Sequence, residues 1–432
     1  MKSRAELVAL DKKYVWHPYT PMEEYVASGE PLVIERAEGS RIHDVDGRSF
    51  IDGNSSWWTA LLGHNHPRLV NALIEQTKSF CHVALAGITH EPAVELAARL
   101  VERAPRGLEH VFYSDNGSTA VEAGIKLAVQ FWAQNGHPRK SKFLSLEGAF
   151  HGETLGVTAL GHVSVIRGPF SDVTMATTHL PSPALDEARA LEALEREIVR
   201  QKDSLAALVL EPLVQGVGGM RIYSPEYLKA ARRLTEQHDV LLILDEVFTG
   251  YGRTGRFWAC DHAGISPDIL ASAKGFSGGM LPFAVTLTND RVFEGFFGDT
   301  SRAFLYGHTY CGNPLGARVA LEVLAIYDDE KIVEGVASRA ARLKRSFDAL
   351  AAVPGVESTR TLGMVGALDL SGGEGYTQRG GWRVFEAALR RGVYMRPLGN
   401  VVYLAPPLNI SETDLEELCG VLEASVREAL DA

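Results

Sequence analysis

Two apolar runs end in the residues with the sharpest chemistry in this chain. Leu241-Leu242-Ile243-Leu244-Asp245-Glu246-Val247 finishes in acids, and a second short apolar stretch leads into Ala271-Ser272-Ala273-Lys274-Gly275. A carboxylate leaving so apolar a strand needs a cationic or hydrogen-bonding partner, because an unpaired buried charge is costly. Strand ends in open α/β sheets are also where ligands bind. A protonated pyridine nitrogen would satisfy Asp245, and the Lys274 amine would hold the same ring through a Schiff base, then shuttle a proton once released. That pairing makes Asp245 and Lys274 the catalytic candidates and pyridoxal 5'-phosphate the expected cofactor. The competing reading is a strand-capping Asp and a surface Lys that meet neither each other nor a ligand.

Three further clusters add to the pair. Tyr113-Ser114-Asp115-Asn116-Gly117-Ser118-Thr119 reads as strand, polar turn and helix start. Such a turn presents free N–H groups and a positive dipole end to an anion. A phosphate fits at Gly117 and Ser118; equally, Ser118 serves as a plain N-cap. Ala149-Phe150-His151-Gly152-Glu153 puts a ring and an imidazole at a sheet edge, where Phe150 either stacks on a pyridine or fills the core under a loop. Glu211, before Pro212, is another acid at a strand end and a candidate cofactor contact or local loop tie.

The elements that must position these groups follow from hydrophobic period. His110–Tyr113, Lys142–Leu146, Ala206–Leu210, Val240–Leu244 and Phe283–Leu287 read as buried strands. Pro92–Arg103, Ser118–Trp132, Leu185–Lys202 and Pro225–His238 have helical spacing of apolar residues. The alternation predicts an α/β fold with a mostly parallel sheet and crossover helices, plus a smaller C-terminal α+β domain. The expected division is an N-terminal segment over residues 1–60 packing with the small domain, a large cofactor domain over 61–325, and the small domain over 326–432.

Composition narrows the partners. The 432 residues are 46% hydrophobic and 22% charged, ample for a large core. A net charge of -11 argues against nucleic acid or an anionic membrane. Cys81, Cys260, Cys311 and Cys419 form no paired motif, so neither a disulfide framework nor a metal site is expected. Interspersed charges over the opening residues and no long apolar stretch lead to a cytoplasmic expectation.

Taken together, these runs resemble the class III, fold-type-I aminotransferases over nearly the whole chain. The resemblance rests on Asn116-Gly117-Ser118-Thr119-Ala120-Val121-Glu122, Phe150-His151-Gly152, Glu211-Pro212, the Asp245-Glu246-Val247 run through Thr249, Gly250, Gly252, Arg253, Thr254 and Gly255, and Lys274-Gly275. It implies that Gly117 and Ser118 bind the cofactor phosphate, that Phe150 and Val247 sandwich its ring, and that Asp245 pairs with its nitrogen while Lys274 anchors it. His151 and Glu211 belong to the same cofactor set. It further implies a homodimer in which Gly307 and Thr309 complete the neighbouring subunit's phosphate site.

Other runs resemble the branch of that family that aminates 8-amino-7-oxononanoate to 7,8-diaminononanoate in biotin biosynthesis. They are Trp16-His17-Pro18-Tyr19-Thr20, Ser55-Ser56-Trp57-Trp58, Arg396-Pro397 and Tyr403-Leu404-Ala405-Pro406-Pro407. A flexible, largely apolar acid needs an aromatic wall and a distant cation, which Tyr19, Trp57, Trp58, Tyr403 and Arg396 can supply. On a strand the adjacent tryptophans would point to opposite faces, so at least one is expected in a pocket. Phe150 and Gly307-His308-Thr309-Tyr310 stand where the branch using S-adenosylmethionine carries Tyr and a Gly-Pro-Thr-Phe run. They resemble the lysine-using branch, so L-lysine is the expected donor and S-adenosylmethionine the alternative. Arg253 is the candidate for the donor's α-carboxylate, or else a brace for its turn. Rival readings are an aminotransferase for ornithine, 4-aminobutyrate or β-alanine, an aminomutase, and a cofactor-binding regulatory module.

Overall fold

The structure is a computed structural model and describes residues 2–373 and 375–431. Its centre is a seven-stranded sheet that takes the strands in the order Leu108–Ser114, Ala284–Asn289, Ile269–Ser272, Leu241–Asp245, Leu205–Leu210, Lys142–Leu146 and Thr177–Leu180. The pairs from Ile269–Ser272 through Thr177–Leu180 are parallel, and Ala284–Asn289 alone runs against its two neighbours. The mostly parallel expectation holds. A parallel sheet must be covered on both faces, which explains why Leu205–Leu210 and Leu241–Asp245 are buried at every position.

Helix Gly117–Gln134 shows how the cover forms. Asn116 caps it by accepting from the Thr119 N–H, and its apolar positions from Ala120 to Trp132, with Val129 only partly so, are buried against the sheet. Each large side chain so buried contributes roughly 1.5–3 kcal/mol. Trp132 also donates Nε1–H to the Ala206 carbonyl at 2.9 Å, tying helix to sheet. Ser118 is therefore not the N-cap.

Besides the short pair Val214–Gln215 and Arg221–Ile222, two smaller sheets accompany this core. Ile34–Glu38, Arg41–Asp44 and Ser49–Asp52 form a meander to which Val393–Tyr394 adds in parallel, Val393 opposite Ile51. Val356–Leu362, Val365–Leu370 and Val401–Leu404 form an antiparallel sheet. Helices Ile332–Leu350, Gly380–Arg390 and Glu412–Asp431 complete the C-terminal part. No helix among the described residues is long and apolar enough to cross a membrane.

Candidate active site

Chain geometry brings the predicted pair together. Asp245 closes its strand opposite Ala271, and Lys274 follows two residues beyond the end of that neighbouring strand. There the backbone turns sharply, with Lys274 at φ 50° and Gly278 at φ 58°. A non-glycine residue held at such a φ is strain that a functional site can retain. Both side chains line one cavity of about 530 Å³, with Gly117, Ser118, Phe150, His151, Glu211 and Val247 around them.

Asp245 is 5% exposed, with one partner on each carboxylate oxygen and acceptor sites to spare. Its Oδ1 accepts the Val247 N–H at 3.1 Å, and its Oδ2 faces His151 Nδ1 at 2.8 Å. Because a carboxylate oxygen accepts, the imidazole proton belongs on Nδ1 in this pairing. Glu211 accepts from the Phe150 N–H at 3.0 Å and the Gly216 N–H at 2.8 Å, and burial raises its carboxyl to about 7. Burial also drives Lys274 down to about 8, opposed by the pull of Asp245 and Glu211. Its Nζ lies 4.4 Å from the Trp58 ring centroid and 5.8 Å from that of Phe248.

The polar turn fits an anion. Gly117 opens its helix where N–H groups lack intrahelical partners, and a Cβ there would meet Val247 Cγ1 at 2.7 Å. Ser118 Oγ accepts the Glu153 N–H at 3.1 Å. A cavity of this size, with an amine, a buried carboxylate and a helix start on its wall, fits pyridoxal phosphate.

The other predicted residues are placed unevenly. Tyr19 and Trp58 line the cavity; Trp57, Tyr403, Arg396 and Arg253 are not on its wall. Trp57 packs edge-on against Tyr19 at 5.2 Å, and Arg396 lies over Trp57 and Trp382 at 5.6 Å and 5.2 Å. Tyr403 accepts Trp58 Nε1–H through its hydroxyl at 3.2 Å. Ser55–Trp58 is not a strand but a left-handed turn, with φ from 45° to 74° over all four residues. That conformation costs roughly 1–2 kcal/mol per L-residue, so other contacts must hold it.

Arg253 is completely buried. Its Nη1 donates to the Met364 and Pro406 carbonyls at 3.1 Å and 2.7 Å, while Nε and Nη2 find no acceptor among the described residues. Burial lowers it to about 10. Gly307 and Thr309 are exposed and absent from the cavity wall of their own chain; His308 Nε2 lies 3.5 Å from Asp115. Sequence reasoning passed over Glu153, which accepts the Tyr19 hydroxyl on the cavity wall, and Phe248, whose ring lies 4.4 Å from that of Trp58. Glu153 closes the run from Ala149 already singled out, and Phe248 directly follows Val247, the only signal available.

The family model of the class-III aminotransferases matches residues 25–426, and the chain belongs to that family. It is thus a transferase of amino groups that works with pyridoxal 5'-phosphate. Among curated relatives, the adenosylmethionine-8-amino-7-oxononanoate aminotransferase of Geobacter sulfurreducens is 39% identical, with 96% of each chain covered. The protein of the same name from Aquifex aeolicus is 37% identical over 97% of this chain and 96% of its own length. Among solved structures, the adenosylmethionine-8-amino-7-oxononanoate aminotransferase of Methanocaldococcus jannaschii superposes with a TM-score of 0.95, 34% identity and 99% coverage of both chains. An (S)-enantioselective omega-transaminase from Thermomicrobium roseum gives a TM-score of 0.95 at 31% identity, with both chains fully covered at 100%.

Proposed function

We propose that this chain aminates 8-amino-7-oxononanoate to 7,8-diaminononanoate, a step of biotin biosynthesis, with L-lysine as amino donor. The observation that carries the acceptor is the Arg396 guanidinium set over two indoles beside the cavity. An acid with a long apolar chain needs a wall of rigid rings and a cation at its far end. Tyr19, Trp57 and Trp58, backed by Tyr403, supply the wall, and Arg396 grips the carboxylate through paired hydrogen bonds. The names of the relatives point to the same acceptor.

Bound pyridoxal phosphate supplies an electron sink for the bond broken at the substrate carbon. Around it the chain's own groups divide the work. Gly117 and Ser118 hold the phosphate with N–H donors at the helix start, while Phe150 and Val247 flank the ring. Asp245 keeps a proton on the ring nitrogen, and His151 fixes the carboxylate for that task. Glu211 fixes the backbone of Phe150. Lys274 tethers the cofactor, then as a free amine carries the proton to and from the substrate carbon. Arg253, short of acceptors, receives the donor's α-carboxylate.

The working unit in this reading is a cytoplasmic homodimer, each chain lending Gly307 and Thr309 to its neighbour's phosphate site and His308 to its donor pocket. Residues 1–60 serve the small domain of 326–432, and 61–325 form the cofactor domain. Phe150 and His308 favour L-lysine; the relatives' names favour S-adenosylmethionine as a second reading. Incubating the holoenzyme with 8-amino-7-oxononanoate and either donor, with mass-spectrometric detection of 7,8-diaminononanoate, tests both points. Product with L-lysine is expected. Product with S-adenosylmethionine alone overturns the donor, and product with neither overturns the acceptor.

A further inference from the structure

The left-handed turn Ser55–Trp58 carries both indoles, and L-residues do not adopt that conformation unaided. One buried carboxylate supplies the hold. Asp52 ends the strand Ser49–Asp52 and is 1% exposed. Its Oδ2 accepts the Ser56 N–H at 2.6 Å and the Ser56 hydroxyl at 3.1 Å, and its Oδ1 accepts the Asn54 N–H at 3.1 Å. His64 Nε2 sits on the same Oδ2 at 2.9 Å. The histidine is itself pinned, exchanging backbone hydrogen bonds with Gly39 at 2.7 and 3.0 Å.

From this anchor the turn reaches the chemistry in two directions. Trp57 meets Tyr19 and Arg396, and Trp58 lies over the Lys274 amine. The far side is tied by Ser55 Oγ donating to the Ala405 carbonyl at 2.7 Å and Asn54 Nδ2 donating to the Tyr403 carbonyl at 3.3 Å. We propose that Asp52, backed by His64, is a positioning residue that sets the aromatic wall for the acceptor chain by clamping this turn. The proposal rests on reading that wall as the acceptor site.

Asp52→Asn keeps the size but turns an NH2 group against an N–H donor in either amide orientation, because donors face both carboxylate oxygens. In the holoenzyme it raises the acceptor KM at least about tenfold and leaves kcat within about twofold, the mark of lost uniform binding rather than lost active protein. Adding Ser56→Gly brings KM most of the way back, since glycine takes a positive φ without a Cβ penalty. Hydrogen exchange gives a readout apart from turnover: the Ser56–Thr59 amides exchange at least about tenfold faster in Asp52→Asn and slow again in the double variant. His64→Gln gives a smaller change in the same direction and serves if Asp52→Asn does not fold. Unchanged KM and exchange in these variants, or a rise that Ser56→Gly leaves in place, overturn the clamp. Should the wild type not turn over 8-amino-7-oxononanoate with either donor, the acceptor reading fails by itself and the exchange rates decide the clamp.

Discussion

Lys274 is expected to titrate near pH 8 in the cofactor-free protein, since burial depresses it to about 8 against the opposing pull of Asp245 and Glu211. An unperturbed lysine titrates near about 10.4. At about pH 7.5 the difference makes about a quarter of the Lys274 amines neutral, against about one in a thousand for an unperturbed lysine, a nucleophile advantage of roughly 200-fold. Pulse labelling with acetic anhydride from about pH 6 to about pH 11, read on the Lys274 peptide by mass spectrometry, gives the midpoint directly. A midpoint at about 10 or above would mean a solvated amine and refute the reasoning. Stability must follow with a definite sign. The folded pKa lies below the unfolded one, so between about 8 and about 10.4 the unfolded chain binds more protons and stability rises with pH. Below that window the charged, buried amine costs about 3 kcal/mol. Lys274→Met, cofactor-free, is therefore more stable than wild type by about 3 kcal/mol near neutral pH in urea unfolding, and the gap closes as pH approaches about 10.4.

Two further outcomes follow from the same geometry. Arg396→Met raises the acceptor KM roughly 100-fold, the worth of about 2–3 kcal/mol in charge-assisted hydrogen bonds, with kcat nearly unchanged; steady-state kinetics that show a fall in kcat at constant KM would place the carboxylate elsewhere. Gly117→Ala drives a Cβ to within 2.7 Å of Val247 Cγ1, weakening cofactor affinity measured by equilibrium dialysis, and Val247→Ala in the same chain restores it. An overpacked contact of this kind costs about 1–3 kcal/mol, so the loss is about fivefold or more.

Local pattern carried much of the fold. The strand at Lys142–Leu146 falls where its apolar run places it, and helix Pro225–Gln237 ends within one residue of the predicted His238. Both are buried on patterned faces, where period and burial agree. Edge elements were less legible: Thr177–Leu180 carries only one fully buried residue, and its polar side chains hid it among loop residues. The direction of Ala284–Asn289 was equally invisible, because an apolar run has no sign.

By itself the sequence pointed to the crevice that Asp245 and Lys274 share. An acid at the end of one buried strand and a lysine just past its neighbour must share a strand-end crevice, because parallel strands present their C-terminal ends on the same side. Tertiary structure alone decided what surrounds that pair. The left-handed turn at Ser55–Trp58 is set by Asp52, His64 and Ala405, partners near in space and, for Ala405, distant in sequence. The carboxylate of Glu153 beside Tyr19 and the acceptor-poor Arg253 arise the same way. Hydrophobic period records which face is buried, whereas a conformation held by long-range hydrogen bonds leaves no periodic trace in the chain.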